Sequence, residues 1–317
     1  MSARIHGASR SRWARTTATS GTRCVMAVPH QLAILIVSMS IASSGACGAC
    51  SGSTPAASDS IVRIVSLHDV TTEIVVALGA TDRLVGVAEP VDIDGKAAAA
   101  IARVPRVGDL ESILAVRPAI VVGLAVVAAQ DPDLVARLRD AGVTVHLGDP
   151  ATLDDVYRLV RDVGVRIAAA PAGEALAAQL ATQAGAPEIP GRAPAPEGHR
   201  MRVFVYDCCD PPFTAGRRTV LNDLIARAGG DNVFADLNAA WTHVSWEEVV
   251  ARRPELVVIH AYRYEGQGDA ADKERAVRAI SALAALRTVV IPLGCSLGGL
   301  RSLDGLARLR AAIGARA

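Results

Sequence analysis

Aromatic side chains make up only 3% of this 317-residue chain, and lysine occurs twice, at Lys96 and Lys273. The lysine shortage goes with an arginine- and alanine-rich composition. It reflects coding bias and excludes no function. Beyond residue 50 the cysteines are Cys208, Cys209 and Cys295, with no C-x-x-C pair among them. A zinc-ribbon or thioredoxin-type site is therefore unsupported. No histidine follows His260, and no long apolar run is present. The N-terminal run Leu32–Ala42 is about half of what a bilayer-spanning helix needs, which argues against a permanent transmembrane segment.

What the N-terminus does have is a charge asymmetry. Residues 1–30 carry Arg4, Arg10, Arg12, Arg15 and Arg23 and no acid. The apolar run follows, then small residues. Basic region, short apolar core and small-residue zone is the order of a secretory signal. Ser44-Gly45-Ala46-Cys47 and Cys47-Gly48-Ala49-Cys50 each end in small-small-Cys, which makes Cys47 or Cys50 a candidate for lipidation after cleavage. The leucine usual three positions before such a cysteine is missing. Initiation at Met26 would shorten the leader. Loss of residues 1–46 removes five arginines, so the formal charge of +1 becomes −4. A mildly acidic protein without a basic block is a poor nucleic-acid binder.

One motif occurs twice. Residues 110–122 read L-E-S-I-L-A-V-R-P-A-I-V-V and residues 246–258 read W-E-E-V-V-A-R-R-P-E-L-V-V. In each copy a glutamate, Glu111 or Glu247, opens a short helix that Arg-Pro ends, because proline cannot continue a helix and disfavours it in the preceding residue. The apolar run that follows suits a strand buried on both faces. The expected fold is α/β, with two Rossmann-like lobes of parallel sheet joined by a long interlobe helix. The expected layout is a signal at 1–46, a Ser/Ala/Pro/Gly-rich tether at 47–60, an N-terminal lobe at 61–150, a connector at 151–200 and a C-terminal lobe at 201–317. Strands are predicted over 61–67, 83–87, 121–124, 143–147, 202–206, 256–260 and 288–293. Helices are predicted over 71–78, 134–141, 153–165, 171–183, 220–228, 274–286 and 303–313.

Several segments stand in the order of a known family: R-I-V-S-L-H-D-V-T-T-E-I-V-V-A-L-G-A (63–80), R-L-V-G-V (83–87), R-V-G-D-L-E-S-I-L-A-V-R-P (106–118), P-P-F-T-A-G (211–216), A-G-G-D-N-V-F-A-D (228–236) and W-T-H-V-S-W-E-E-V (241–249). Over about residues 61–313 the chain resembles the periplasmic substrate-binding proteins of ABC importers for iron-siderophores, cobalamin and haem. The resemblance implies capture of a metal chelate without catalysis, little lobe closure, no cofactor of its own, a permease and ATPase as partners, a monomer, and a location in the periplasm or at the cell surface. It implies that Glu111 and Glu247 meet arginine pockets on the permease. A first-turn glutamate also favours the helix dipole, which by itself would explain one copy but not the matched pair. Iron-siderophore is the first expectation for the ligand, as the commonest class for such proteins. Cobalamin follows, because P-P-F-T-A-G with A-W-T-H-V-S fits its pattern. Haem or a bare metal ion comes third.

Ligand residues belong in loops at the carboxyl ends of the strands. The candidates are His68, Asp69, Glu89, Gly108, Asp109, Tyr206, Phe213, Trp241, His243, Tyr262, Arg263 and Arg301. The few aromatics, Tyr264 included, gather in these loops, where they could wall a flat, partly apolar chelate. Arg217, Arg263 and Arg301 could offset an anionic one. Trp246 is expected in the core. Asp207-Cys208-Cys209-Asp210 departs from what the resemblance leads one to expect before P-P-F-T-A-G. The adjacent cysteines could form a vicinal disulfide or remain free.

Two other readings deserve testing. His68, His243, His260, Cys208, Cys209 and Cys295 all fall at predicted strand ends and could hold a soft or borderline metal directly. Gly294-Cys295-Ser296-Leu297-Gly298 matches G-x-S-x-G between a strand and a helix, the context of a hydrolase nucleophile. A hydrolase needs a later histidine, and none follows Ser296.

Overall fold

The computed structural model describes residues 62–90, 92–93, 95–185, 199–262 and 269–315. The predicted signal and tether, Cys47, Cys50, the proline-rich stretch before residue 199, Arg263 and Tyr264 lie outside the described residues.

The N-terminal lobe runs β1 (Ile64–Ser66), α1 (Asp69–Ala77), β2 (Leu84–Val87), α2 (Gly95–Ala100), α3 (Leu110–Ala115), β3 (Ile120–Leu124), α4 (Ala125–Gln130), α5 (Pro132–Asp140) and β4 (Thr144–Gly148). Its sheet is parallel with order β2-β1-β3-β4. The connector holds α6 (Leu153–Arg166) and α7 (Ala170–Gly185). The C-terminal lobe runs β5 (Met201–Tyr206), β6 (Phe213–Ala215), α8 (Val220–Arg227), β7 (Gly230–Asn232), β8 (Trp241–His243), α9 (Trp246–Ala251), β9 (Leu256–Ala261), α10 (Ala270–Ala279), β10 (Arg287–Pro292) and α11 (Ser302–Gly314). Its main sheet is also parallel, with order β10-β9-β5-β7. A small antiparallel ribbon pairs β6 with β8.

The repeated motif folds the same way twice. Asp109 caps α3 and Ser245 caps α9, each through a reciprocal capping box with the third helical residue, Ser112 or Glu248. Both helices end on an arginine of positive φ, Arg117 at 45° and Arg253 at 47°. The following proline disfavours right-handed helical geometry there. Each arginine takes the left-handed exit that glycine usually supplies.

Helix α6 bridges the lobes. At its start, Leu153 N–H donates to Asp223 of α8 at 2.9 Å, and Arg227 reaches Asp154 at 3.1 Å. At its end, Arg83 of the N-terminal lobe donates to the carbonyl of Ile167 at 2.7 Å. An acid at the amino end and a cation at the carboxyl end both favour the helix dipole. Helix α7 returns along α6 where Gly164 meets Gly173. A Cβ on Gly164 would lie 3.0 Å from the Gly173 Cα, so the crossing needs glycine.

One continuous core runs from β1 and α1 through Leu153, Val156, Val160 and Val163 of α6 to Leu221, Leu224 and Leu306. Separate clusters cover the other faces, around Val65, Val121 and Leu138 in one lobe and Phe204, Phe234 and Val257 in the other. Sheets covered on both faces explain the unbroken apolar strands. One helix departs from expectation: α10 begins at Ala270, capped by Asp269, and ends at Ala279, so the predicted 274–286 is shifted. The alanine-rich tail after Ala279 forms turns whose leucines, Leu283 and Leu286, still pack against the outer core.

Candidate functional site

The carboxyl ends of β5 and β9 build a two-layered site. The outer layer is aromatic. Phe213 of β6 stacks on Trp241 of β8 with ring centroids 6.0 Å apart, and the His243 ring lies 4.8 Å from Phe213. Phe213 and Trp241 are half-buried and His243 is exposed. The ribbon register sets this arrangement, because Phe213 pairs with His243 and Ala215 with Trp241. Gly216 completes P-P-F-T-A-G for a steric reason. A side chain there would run into the Ala239 carbonyl of the loop that leads into β8.

The inner layer is polar and buried. Trp241 meets the edge of the His260 ring at 5.5 Å. His260 Nδ1 is 2.5 Å from Asp207 Oδ1, and Tyr262 donates its hydroxyl to the same oxygen at 2.6 Å. Lys273 of α10 donates to the His260 carbonyl at 2.8 Å, its ammonium 3.9 Å from the centre of the Tyr262 ring. Burial pushes the Asp207 carboxyl up, but the His260 and Tyr262 hydrogen bonds and the His260 and Lys273 charges outweigh it and hold it below the usual range. Burial draws the Lys273 ammonium down to about 8, against the raising effect of Asp207. Asp207 stood out in the sequence only as part of Asp207-Cys208-Cys209-Asp210, and Lys273 not at all. The available signal was Lys273 itself, one of two lysines in a chain that otherwise uses arginine.

In the N-terminal lobe, His68 caps α1 through Nδ1, which accepts from Val70 N–H, and burial lowers its basicity. Glu89 is exposed and 3.8 Å from Arg106. Gly108 and Asp109 precede α3, where Ser112 binds both backbone N–H groups. These loops all follow strand ends, as Val107 N–H bonding to the Val87 carbonyl shows for the last of them.

Three expected ligand residues have partners within the protein. Tyr206 is buried against Phe204 and Trp246, its hydroxyl on the Cys209 carbonyl. Arg301 lies between the lobes, 3.0 Å from Glu73 of α1 and 3.5 Å from Asp92. Asp92 also accepts from Gly294 N–H at 2.5 Å, and its own N–H donates to Asp69. Gly294 leaves the space that the guanidinium fills. Arg217 bonds Asn238.

Cys208 and Cys209 are joined in a disulfide and offer no thiolate. Burial raises the Cys295 thiol to about 11, and His260 Nδ1 is engaged by Asp207 while its buried Nε2 has no hydrogen-bond partner among the described residues. Among the described residues no three His, Cys, Asp or Glu side chains are grouped to hold an ion. Ser296 is buried and donates to the Leu293 carbonyl.

Glu111 and Glu247 are both exposed, each the second residue of its capped helix.

Residues 64–291 match the family described as periplasmic binding protein. The chain belongs to that family. Members are extracytoplasmic substrate-binding components of ABC importers, and no helix among the described residues is long and apolar enough to cross a membrane. The vitamin B12-binding protein of Salmonella typhimurium is 28% identical over 204 residues, 62% of this chain and 71% of that protein. A periplasmic binding protein from Veillonella parvula superposes with a TM-score of 0.69 at 22% identity, covering 80% of this chain and 92% of that one. The periplasmic heme-binding protein RhuT from Roseiflexus sp. RS-1 gives 0.62 at 26% identity, covering 79% and 98%.

Proposed function

We propose that this periplasmic binding protein captures a cobalt corrinoid of the cobalamin type and delivers it to an ABC permease and its ATPase. The carrying observation is the Phe213–Trp241–His243 wall, a half-exposed aromatic cluster backed by a hydrogen-bonded polar layer. Such a surface suits the face of a large ring chelate. The relatives named as vitamin B12-binding proteins support the same choice. An anionic ferric siderophore, the first expectation from sequence, calls for cations facing the cleft, and among the described candidates Arg301 is paired with Glu73 and Asp92.

In this reading Phe213, Trp241, His243 and Tyr262 of one lobe oppose His68, Glu89, Gly108 and Asp109 of the other. Glu111 and Glu247 dock on the permease, one per lobe. A lipid on Cys47 or Cys50 tethers the protein to the membrane. Native mass spectrometry of the protein purified from its own host tests the ligand. Retention of one corrinoid per chain is expected, and retention of a ferric siderophore or haem instead would overturn the choice.

A further inference from the structure

The turn between β5 and β6 carries a feature that the aromatic wall and its polar backing do not by themselves require. Cys208 and Cys209, neighbours in sequence, are joined by a disulfide. Cys209 is exposed and has φ of 75°, in the left-handed region that ordinary L residues resist. A ring through both side chains restricts the backbone between them. The residues on either side are the anchors of the two layers of the site. Asp207, immediately before, holds His260 and Tyr262. Phe213, at the far end of the turn, stacks on Trp241 and His243.

The turn is closed by bonds that all depend on its conformation. Phe213 N–H donates to the Cys208 carbonyl at 2.9 Å, and Asp207 N–H to the Phe213 carbonyl at 3.0 Å. The Tyr206 hydroxyl donates to the Cys209 carbonyl at 3.0 Å. Trp246 Nε1 donates to Asp210 at 3.2 Å, and His243 Nδ1 lies 3.0 Å from the Pro211 carbonyl. A carbonyl aimed by a left-handed residue turns away if that residue relaxes to negative φ. The Tyr206 bond is then the first to go, and the spacing of Asp207 from Phe213 follows.

We propose that the Cys208–Cys209 disulfide is a positioning element of the ligand site. It holds Cys209 left-handed and so keeps the Phe213 wall in register with the Asp207 layer. This rests on the reading of the wall as the chelate surface. The chemistry is that of pre-organisation: a surface already in its binding geometry loses less entropy when the ligand arrives.

Three forms of the full mature protein test it: wild type, Cys208→Ser with Cys209→Ser, and Cys208→Ser with Cys209→Gly. Glycine accepts positive φ without the ring, so it separates conformation from sulfur chemistry. Amide hydrogen exchange without ligand is read at Asp207 and Phe213, and affinity is read with cyanocobalamin, haemin and ferrichrome as probes. Exchange at both amides is expected to quicken about tenfold or more in the serine pair and to stay near wild type in the glycine variant. Affinity for whichever probe the wild type binds should fall about tenfold in the serine pair and recover to within about threefold in the glycine variant. Unchanged exchange in the serine pair overturns the proposal, as does equal damage in both variants. A wild type that binds none of the probes refutes the chelate reading, while the exchange data still decide the role of the disulfide.

Discussion

Arg63 and Arg202 make the same two hydrogen bonds in different lobes. Arg63 precedes β1 and donates to the carbonyls of Val116 and Arg117 at the end of α3. Arg202, just before the matching register position in β5, donates to those of Arg252 and Arg253 at the end of α9. Each guanidinium ties a strand to the carboxyl end of the helix whose other end carries the exposed glutamate. The repeat therefore extends beyond the motif visible in the sequence to a clamp built from a distant residue.

The positive φ at Arg117 and Arg253 is costly for any residue with a Cβ. Arg117→Gly and Arg253→Gly should each raise stability by about 0.5 kcal/mol, net of the extra freedom glycine has when unfolded. Arg202→Ala should lower it by about 1 kcal/mol by removing two charge-assisted bonds to helix-end carbonyls. Urea denaturation of the three variants checks both directions.

Glu111→Ala with Glu247→Ala should abolish uptake into cells or vesicles carrying the permease while leaving ligand affinity within about twofold, since surface charges of this kind act on the encounter with a partner. Normal uptake by the double variant would remove the docking role. Either single variant should give an intermediate loss.

Asp207 ties the buried layer together, and its folded-state acidity is stronger than that of a free aspartate. A depressed carboxylate stabilises the fold above its ordinary range and loses that contribution as pH falls through the folded value. Asp207→Asn should therefore cost about 3 kcal/mol at neutral pH, as for a buried pair deprived of one partner. Its difference from wild type should shrink below about pH 4. Lys273 works in the opposite range. Its lowered value, about 8, means stability from this group rises as pH climbs from there toward the ordinary lysine value. Lys273→Met should flatten that alkaline limb, as thermal melts across pH 7 to 10 would show.

Arg301 ties Gly294 and α11 of one lobe to Glu73 and Asp92 of the other. Arg301→Ala should cost roughly 3 kcal/mol, because it withdraws the cation from between two buried carboxylates. It should also broaden the distribution of interlobe distances measured by spin labels on α5 and α10. In the wild type the distribution should be narrow and change little on ligand binding, with α6 and this second tie both holding the lobes. A large ligand-driven closure of the wild type would contradict the account.

Much of the architecture was readable because it is written in local patterns. Apolar runs bounded by Gly, Pro and Asp mark β3, β5 and β9, and the capped, Arg-Pro-terminated helix marks α3 and α9. The three-residue strands β6, β7 and β8 are too short to show a period, and the aromatic wall depends on them. Residues that act across the fold were harder still. Arg301 and Asp69 look like ligand groups at strand ends, yet their partners lie more than 20 positions away, Asp92 of the N-terminal lobe in both cases. The disulfide was visible as a possibility, because neighbouring cysteines either pair or do not, and only the backbone at Cys209 decides.

The most direct test of the central claim is calorimetric titration of wild type and Trp241→Ala with cyanocobalamin. The account predicts one ligand per chain for the wild type, bound at submicromolar strength, and an affinity about tenfold weaker or more for the variant, the scale of losing a large aromatic contact. No heat of binding to the wild type, or equal affinity in the two proteins, would contradict it.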